Sequence, residues 1–128
     1  MCDTNETETY DRYLIPEGVH SVRIMNAYKA RSGKGHDMIV IQLEVKGYVA
    51  RLYYYIPFID GQEEITNRRI SQFFDSFQNI RNGDCDMSHW IGRVGACRVR
   101  HEAWQSETRA VIQYFIPADE CVNIPPWN

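Results

Sequence analysis

The chain has 128 residues, 44% of them apolar and 24% charged, with a formal net charge of −3. That length fits one domain able to bury roughly two-thirds of its unfolded surface, and the composition is ordinary for a globular protein and argues against a disordered chain. No apolar run reaches the roughly 20 residues a membrane helix needs, and the acidic, polar start does not fit a secretory signal.

Residues 1–13 read as a flexible acidic lead-in. Residues 1–17 hold Asp3, Glu6, Glu8, Asp11 and Glu17 against Arg12, a local charge of −4, so the remaining body carries +1. Eleven arginines stand against three lysines. Arginine is favoured where a planar donor fork meets phosphate or stacks on a ring. Pro16-Glu17-Gly18 is a turn that launches a first strand, in which Val22 and Ile24 alternate with Ser21 and Arg23, running to about Lys29. Ala30 to Gly35 reads as a glycine-bearing loop. Asp37 to Lys46 is the clearest strand: Ile39, Ile41, Leu43 and Val45 share one face by the period of two. Lys46-Gly47 marks a hairpin turn into a third strand, Tyr48 to Ile56. Here Leu52, Tyr54 and Ile56 face one way and Arg51, Tyr53 and Tyr55 the other.

After a loop through Asp60-Gly61, Thr66 is placed to cap a helix running to about Asn79. Ile70, Phe73, Phe74 and Phe77 follow the i, i+3, i+4, i+7 pattern of a stripe laid on a core. Asn82-Gly83-Asp84 ends that region, and Trp90 packs after a short connection. Arg93 to Ala103 is a fourth strand, with Cys97 and Val99 opposite Arg98 and Arg100. A turn near Gln105-Ser106 leads to a fifth strand, Thr108 to Ile116. Three strands, one helix and two strands predict a mainly β fold. The expected form is an OB-fold-like five-stranded barrel with one amphipathic helix between strands 3 and 4; the rival is an open α+β sheet. The domain spans residues 14–117, with a tail at 118–128.

Catalytic signatures are weak. There is no nucleophile elbow, and Ser32-Gly33-Lys34-Gly35 lacks the spacing and following helix of a phosphate loop. The histidines (His20, His36, His89, His101) are scattered, and Cys2, Cys85, Cys97 and Cys121 lack zinc spacing and read as reduced thiols. Asp84 and Asp86 beside Cys85 read as turn residues. No metal, cofactor or catalytic residue is therefore expected.

The informative constellation is aromatic and basic. Arg51, Tyr53 and Tyr55 project from one strand face. Arg98 and Arg100 project from another, and Lys29, Arg31 and Lys34 cluster about the first hairpin loop. Tyrosines on a sheet can stack bases while arginines neutralise phosphates. Arg68 and Arg69 near a helix N-terminus, where the dipole disfavours cations, hint at an external anion.

The opening I-P-E-G at Ile15 to Gly18, the segment S-G-K-G-H-D-M-I-V-I-Q-L-E-V from Ser32 to Val45, I-S-Q-F-F from Ile70 to Phe74, and W-I-G-R-V-G-A-C-R-V-R from Trp90 to Arg100 go together. Across residues 14–117 they resemble small phage or prophage OB-fold proteins of replication and recombination modules, often described as single-stranded-DNA-binding or of unknown function. The resemblance implies a viral, non-catalytic single-strand binder in the host cytoplasm, beside a recombinase or replisome. The Ile124-Pro125-Pro126-Trp127 ending departs from the acidic Pro-Phe tip of bacterial single-strand-binding proteins. Edge strands of a partly open barrel can pair, so a homo-oligomer is also expected. The competing expectation is a phage-encoded protein-interaction module that inhibits a host defence or nucleic-acid enzyme, which the acidic arm would suit.

Overall fold

The computed structural model describes residues 14–77, 80 and 86–120. Alternating apolar residues build five strands: β1 (Gly18–Arg31), β2 (Asp37–Val45), β3 (Arg51–Pro57), β4 (Val94–Trp104) and β5 (Glu107–Phe115). One helix, α1 (Glu63–Ser76), follows β3, and short 3-10 turns lie at Met87–His89 and Ala118–Glu120. All neighbouring strands are antiparallel, in the order β3-β2-β1-β4-β5. β1 is the centre of the sheet. Its first half pairs with β4 and most of its length with β2. The sheet is open, with β3 and β5 as its two margins.

The inner face of the sheet carries Val22, Ile24, Ile41, Leu43, Leu52, Ile56, Cys97 and Val99, all essentially inaccessible to solvent. Phe73 of α1 and Phe77, just past its end, pack onto this face at a ring separation of 4.9 Å, and Trp90 meets Phe73 at 5.0 Å. Each such side chain contributes roughly 1.5–3 kcal/mol of burial free energy. Close approach is built into the backbone as well: a Cβ on Gly95 of β4 would meet the Phe77 ring at 2.9 Å. The buried Ser76 hydroxyl fixes the end of the helix. It donates to the Ala96 carbonyl at 2.9 Å and accepts from the Ala96 N–H at 3.1 Å.

Two one-residue irregularities reverse the alternation. In β1 the pair Ile24–Leu43 is followed by Asn26–Gln42, so Met25 is extra. In β5 the pairs Val99–Ile112 and Arg98–Tyr114 leave Gln113 extra. Such bulges re-aim every side chain beyond them. The β4–β5 connection is a two-residue turn with positive φ at both Gln105 (49°) and Ser106 (67°). That is the sense of twist matching a tight hairpin.

Several boundaries differ from the sequence expectation. The helix begins three residues before Thr66. Acids in its first turn suit the helix dipole, and the Glu63 carboxylate accepts from the Gly61 N–H at 3.2 Å. Thr66 is no cap; its hydroxyl donates instead to the Pro57 carbonyl at 3.0 Å. The helix ends at Ser76, before Phe77 turns out of helical geometry; Asn79 lies outside the described residues. β1 runs on to Arg31, so Ala30 and Arg31 belong to the strand, paired with Met38 and Asp37. The expectations for the acidic arm, for Asn82-Gly83-Asp84, for Cys2, Cys85 and Cys121 and for the Pro-Pro-Trp tail lie outside the described residues. No helix among the described residues is long and apolar enough to cross a membrane.

Ser76→Ala leaves the Ala96 N–H buried without its acceptor, and should cost about 1–3 kcal/mol in a urea titration. Burial pushes the Cys97 thiol from 9.0 up to about 12. Above pH 9 the unfolded chain therefore loses a proton that the folded chain keeps, so stability falls as pH rises towards 12. Urea midpoints across that range should decline, and Cys97→Ala should flatten the decline.

Candidate functional site

Cross-strand partners share a face of the sheet. The outer face therefore carries three rows from the margin inward: Arg51–Glu44–Arg23, Tyr53–Gln42–Asn26 and Tyr55–Val40–Tyr28. Tyr53 and Tyr55 are 45% and 48% exposed. Their rings stand nearly parallel, 13° apart in plane with centroids 6.4 Å apart. The Gln42 amide donates to the Tyr53 hydroxyl at 3.2 Å and helps set that ring. Arg23 is tied to Glu44 through a 2.8 Å bond from its Nε, so the first row offers Arg51 as its outermost cation. Val40 is buried between the two tyrosines of its row, although it belongs to the outer face.

The sheet curls so that its margins approach each other. On the inner side the Tyr54 ring of β3 meets the Phe115 ring of β5 edge-on at 4.8 Å. Between the two margins the gap opens into a cleft of about 530 Å³, lined by residues of both faces. Arg51, Tyr53, Tyr54 and Tyr55 line it from β3, Arg69 and Gln72 from α1, Arg100 and Glu102 from β4, and Arg109 to Gln113 from β5. Four arginines and one glutamate thus line the cleft. Glu102 accepts from Arg109 at 2.7 and 3.0 Å and lies 3.4 Å from Arg100. Arg69 donates to the Tyr55 carbonyl at 3.4 Å, so the helix covers part of the unpaired β3 margin. Burial pushes the Tyr55 phenol above its ordinary value, Tyr28 and Tyr53 add to this, and Arg109 opposes it. Burial likewise raises Tyr54, opposed by Arg69. Both hydroxyls keep their protons at neutral pH and can donate.

No family model matches the chain, and no curated protein sequence matches it. The geometry of the cleft therefore carries the functional reading.

Of the residues expected from sequence, the cleft brings together Arg51, Tyr53, Tyr55 and Arg100. It does not include Lys29, Arg31 or Lys34. Lys29 and Arg31 pair with Ile39 and Asp37, which places them on the opposite face from Tyr28, Tyr53 and Tyr55. Arg31 also lies 3.5 Å from the Asp37 carboxylate. Lys34 stands exposed in the turn closed by the Gly35 N–H on the Ser32 carbonyl. Arg98 is on the outer face but outside the cleft lining, between Val19 and Tyr114.

Sequence reasoning missed Arg109, Tyr28 and Tyr114 as surface groups of this face. Arg109 was findable: it opposes Glu102 across the predicted last hairpin. The two tyrosines were hidden by the bulges, since simple alternation puts Tyr28 with Val22 and Ile24, and Tyr114 with Ile112.

Two near-parallel rings at the lip of a cleft rich in arginine suit a ligand that alternates flat aromatic groups with anionic ones. Glu102 limits that attraction by neutralising two of the guanidiniums. Glu102→Gln should therefore strengthen polyanion binding, seen as elution from a heparin column at higher salt. Because the ion pairs are part-exposed, thermal stability should change little.

Proposed function

We propose that the protein binds single-stranded DNA, without catalysing a reaction and with little sequence preference. The observation that carries this reading is the pair of exposed, near-parallel Tyr53 and Tyr55 rings bordering a cleft that holds Arg51, Arg69, Arg100 and Arg109. Bases stack on such rings whatever their identity, because every base has a π-face. The arginines then take the phosphates and fix the path of the strand. In a regular duplex the faces of the bases are already stacked on one another, so single strands are preferred.

The strand order supports reading the fold as a partly open barrel of the OB type. β3 and β5 come together as margins, α1 lies between β3 and β4 in the chain, and the tyrosines lie on β3. In OB-folds the face of strands 2 and 3 is a common oligonucleotide platform. Together with the sequence resemblance, this favours a phage-encoded protein that protects or presents single strands during replication or recombination in the host cytoplasm.

The test is fluorescence anisotropy with a labelled single strand and the matching duplex over a range of salt. Three or four phosphate contacts give a slope of log affinity on log salt of roughly −2 to −3 for a single strand. Tyr53→Ala and Tyr55→Ala should each weaken binding by about 1–3 kcal/mol. No binding at low salt would sink the reading. A host protein captured stoichiometrically would then point to the interaction module, for which the unpaired β3 and β5 margins offer strand-pairing edges.

A further inference from the structure

The outer face continues beyond the cleft. Along β4, Arg100 lines the cleft, and Arg98 precedes it by two residues, pointing the same way about 6.8 Å back along the strand. Across the sheet Arg98 has Val19 on one side and Tyr114 on the other. We infer that a bound single strand leaves the cleft along the outer face of β4 and β5, with Tyr114 as a third stacking platform and Arg98 as its phosphate contact. This inference rests on the single-strand reading above.

Three observations carry it. The first is the bulge at Gln113. Without it Tyr114 would share the inner face with Ala110 and Ile112, and Phe115 would point out; with it Phe115 is buried and Tyr114 is 44% exposed. The bulge in β1 does the same for Tyr28, which joins the Tyr55 row. Both departures from alternation thus deliver a tyrosine to the outer face, and bulges are enriched where a side chain must be re-aimed beside a functional site.

The second observation is charge. Arg100 and Arg109 share Glu102, whereas Arg98 has no carboxylate partner among the described residues. An arginine left uncompensated next to an exposed ring is well placed for an external anion. The third is the state of the Tyr114 ring. Among the described residues it makes no ring contact, whereas the inner-face aromatics Phe73, Phe77 and Phe115 each touch several others. Tyr114 contributes little to the core, and exposed Val19 in the same row extends the apolar surface beside it.

The experiment is a length series: full-length protein titrated with labelled oligothymidylates from about 4 to about 16 nucleotides, the range of site sizes for one OB-type unit. For the unaltered protein, affinity should rise with length and then level off. Tyr114→Ala and Arg98→Gln should both bind the shortest oligomers normally and lose affinity on the long ones, Tyr114→Ala by about fivefold or more, since one lost stack is worth at least roughly 1 kcal/mol, and Arg98→Gln through its lost phosphate contact, with a shallower salt dependence. Tyr114→Phe should retain the gain with length, and a melting curve for each variant checks the fold. If both variants match the unaltered protein at every length while Tyr53→Ala binds weakly, the extension is wrong and the cleft stands. Equal losses on short and long oligomers would also overturn it. Failure of the unaltered protein to bind any length would overturn the cleft reading itself.

Discussion

Phe115 holds the two margins of the sheet in relation to each other. Its ring meets Tyr54 of β3 at 4.8 Å, Phe77 at 5.6 Å and Phe73 at 5.7 Å. β3 and β5 are therefore joined through aromatic packing on α1 where no strand pairing joins them. Edge-to-face contacts of this kind are worth roughly 0.5–1.5 kcal/mol beyond burial, and they set a separation at which a cleft stays open above the core. Tyr54 forms part of the floor of that cleft, Arg69 reaches into it from the helix, and Tyr53 and Tyr55 flank Tyr54 along the strand. The outward geometry of the site depends on this inward cluster.

The electrostatics are local. A chain with a net charge of −3 still lines one cleft with four arginines and one glutamate. Lysines play no part in the cleft, which fits the advantage of planar guanidinium groups beside rings and phosphates. Glu102 holds Arg109, and Arg69 is occupied by a backbone carbonyl, so a ligand must compete for some of these donors. On the proposed reading, that competition would temper the affinity for a single strand, and the phosphate contacts would make it salt-sensitive.

Much of the architecture was legible in the sequence because it rests on short-range periodicity. The Ile41, Leu43, Val45 face, the Phe73, Phe74, Phe77 stripe, buried Cys97 and Trp90, and the outward Arg51, Tyr53, Tyr55 set all follow from periods of two and 3.6. What escaped was whatever depends on a single inserted residue or on contacts distant in the chain. Met25 and Gln113 each flip a strand beyond them, and no composition signal marks either. Arg109 and Arg69 join the tyrosines only once the sheet curls and the helix docks. Lys29 and Arg31 lie away from the cleft because of the same inserted Met25: simple alternation would set them beside outward Arg23, and the bulge turns them to the other face.

The open margins bear on how the protein behaves in solution. A strand edge that keeps unpaired N–H and C=O groups invites a second strand, and Arg69 caps only one carbonyl of β3. A ligand seated in the cleft would shield the adjoining edges as well as the arginines. On the proposed reading, the unliganded protein would be the form more prone to self-association, and a bound single strand would act as its solubiliser, keeping apart copies that would otherwise add to one another edge to edge.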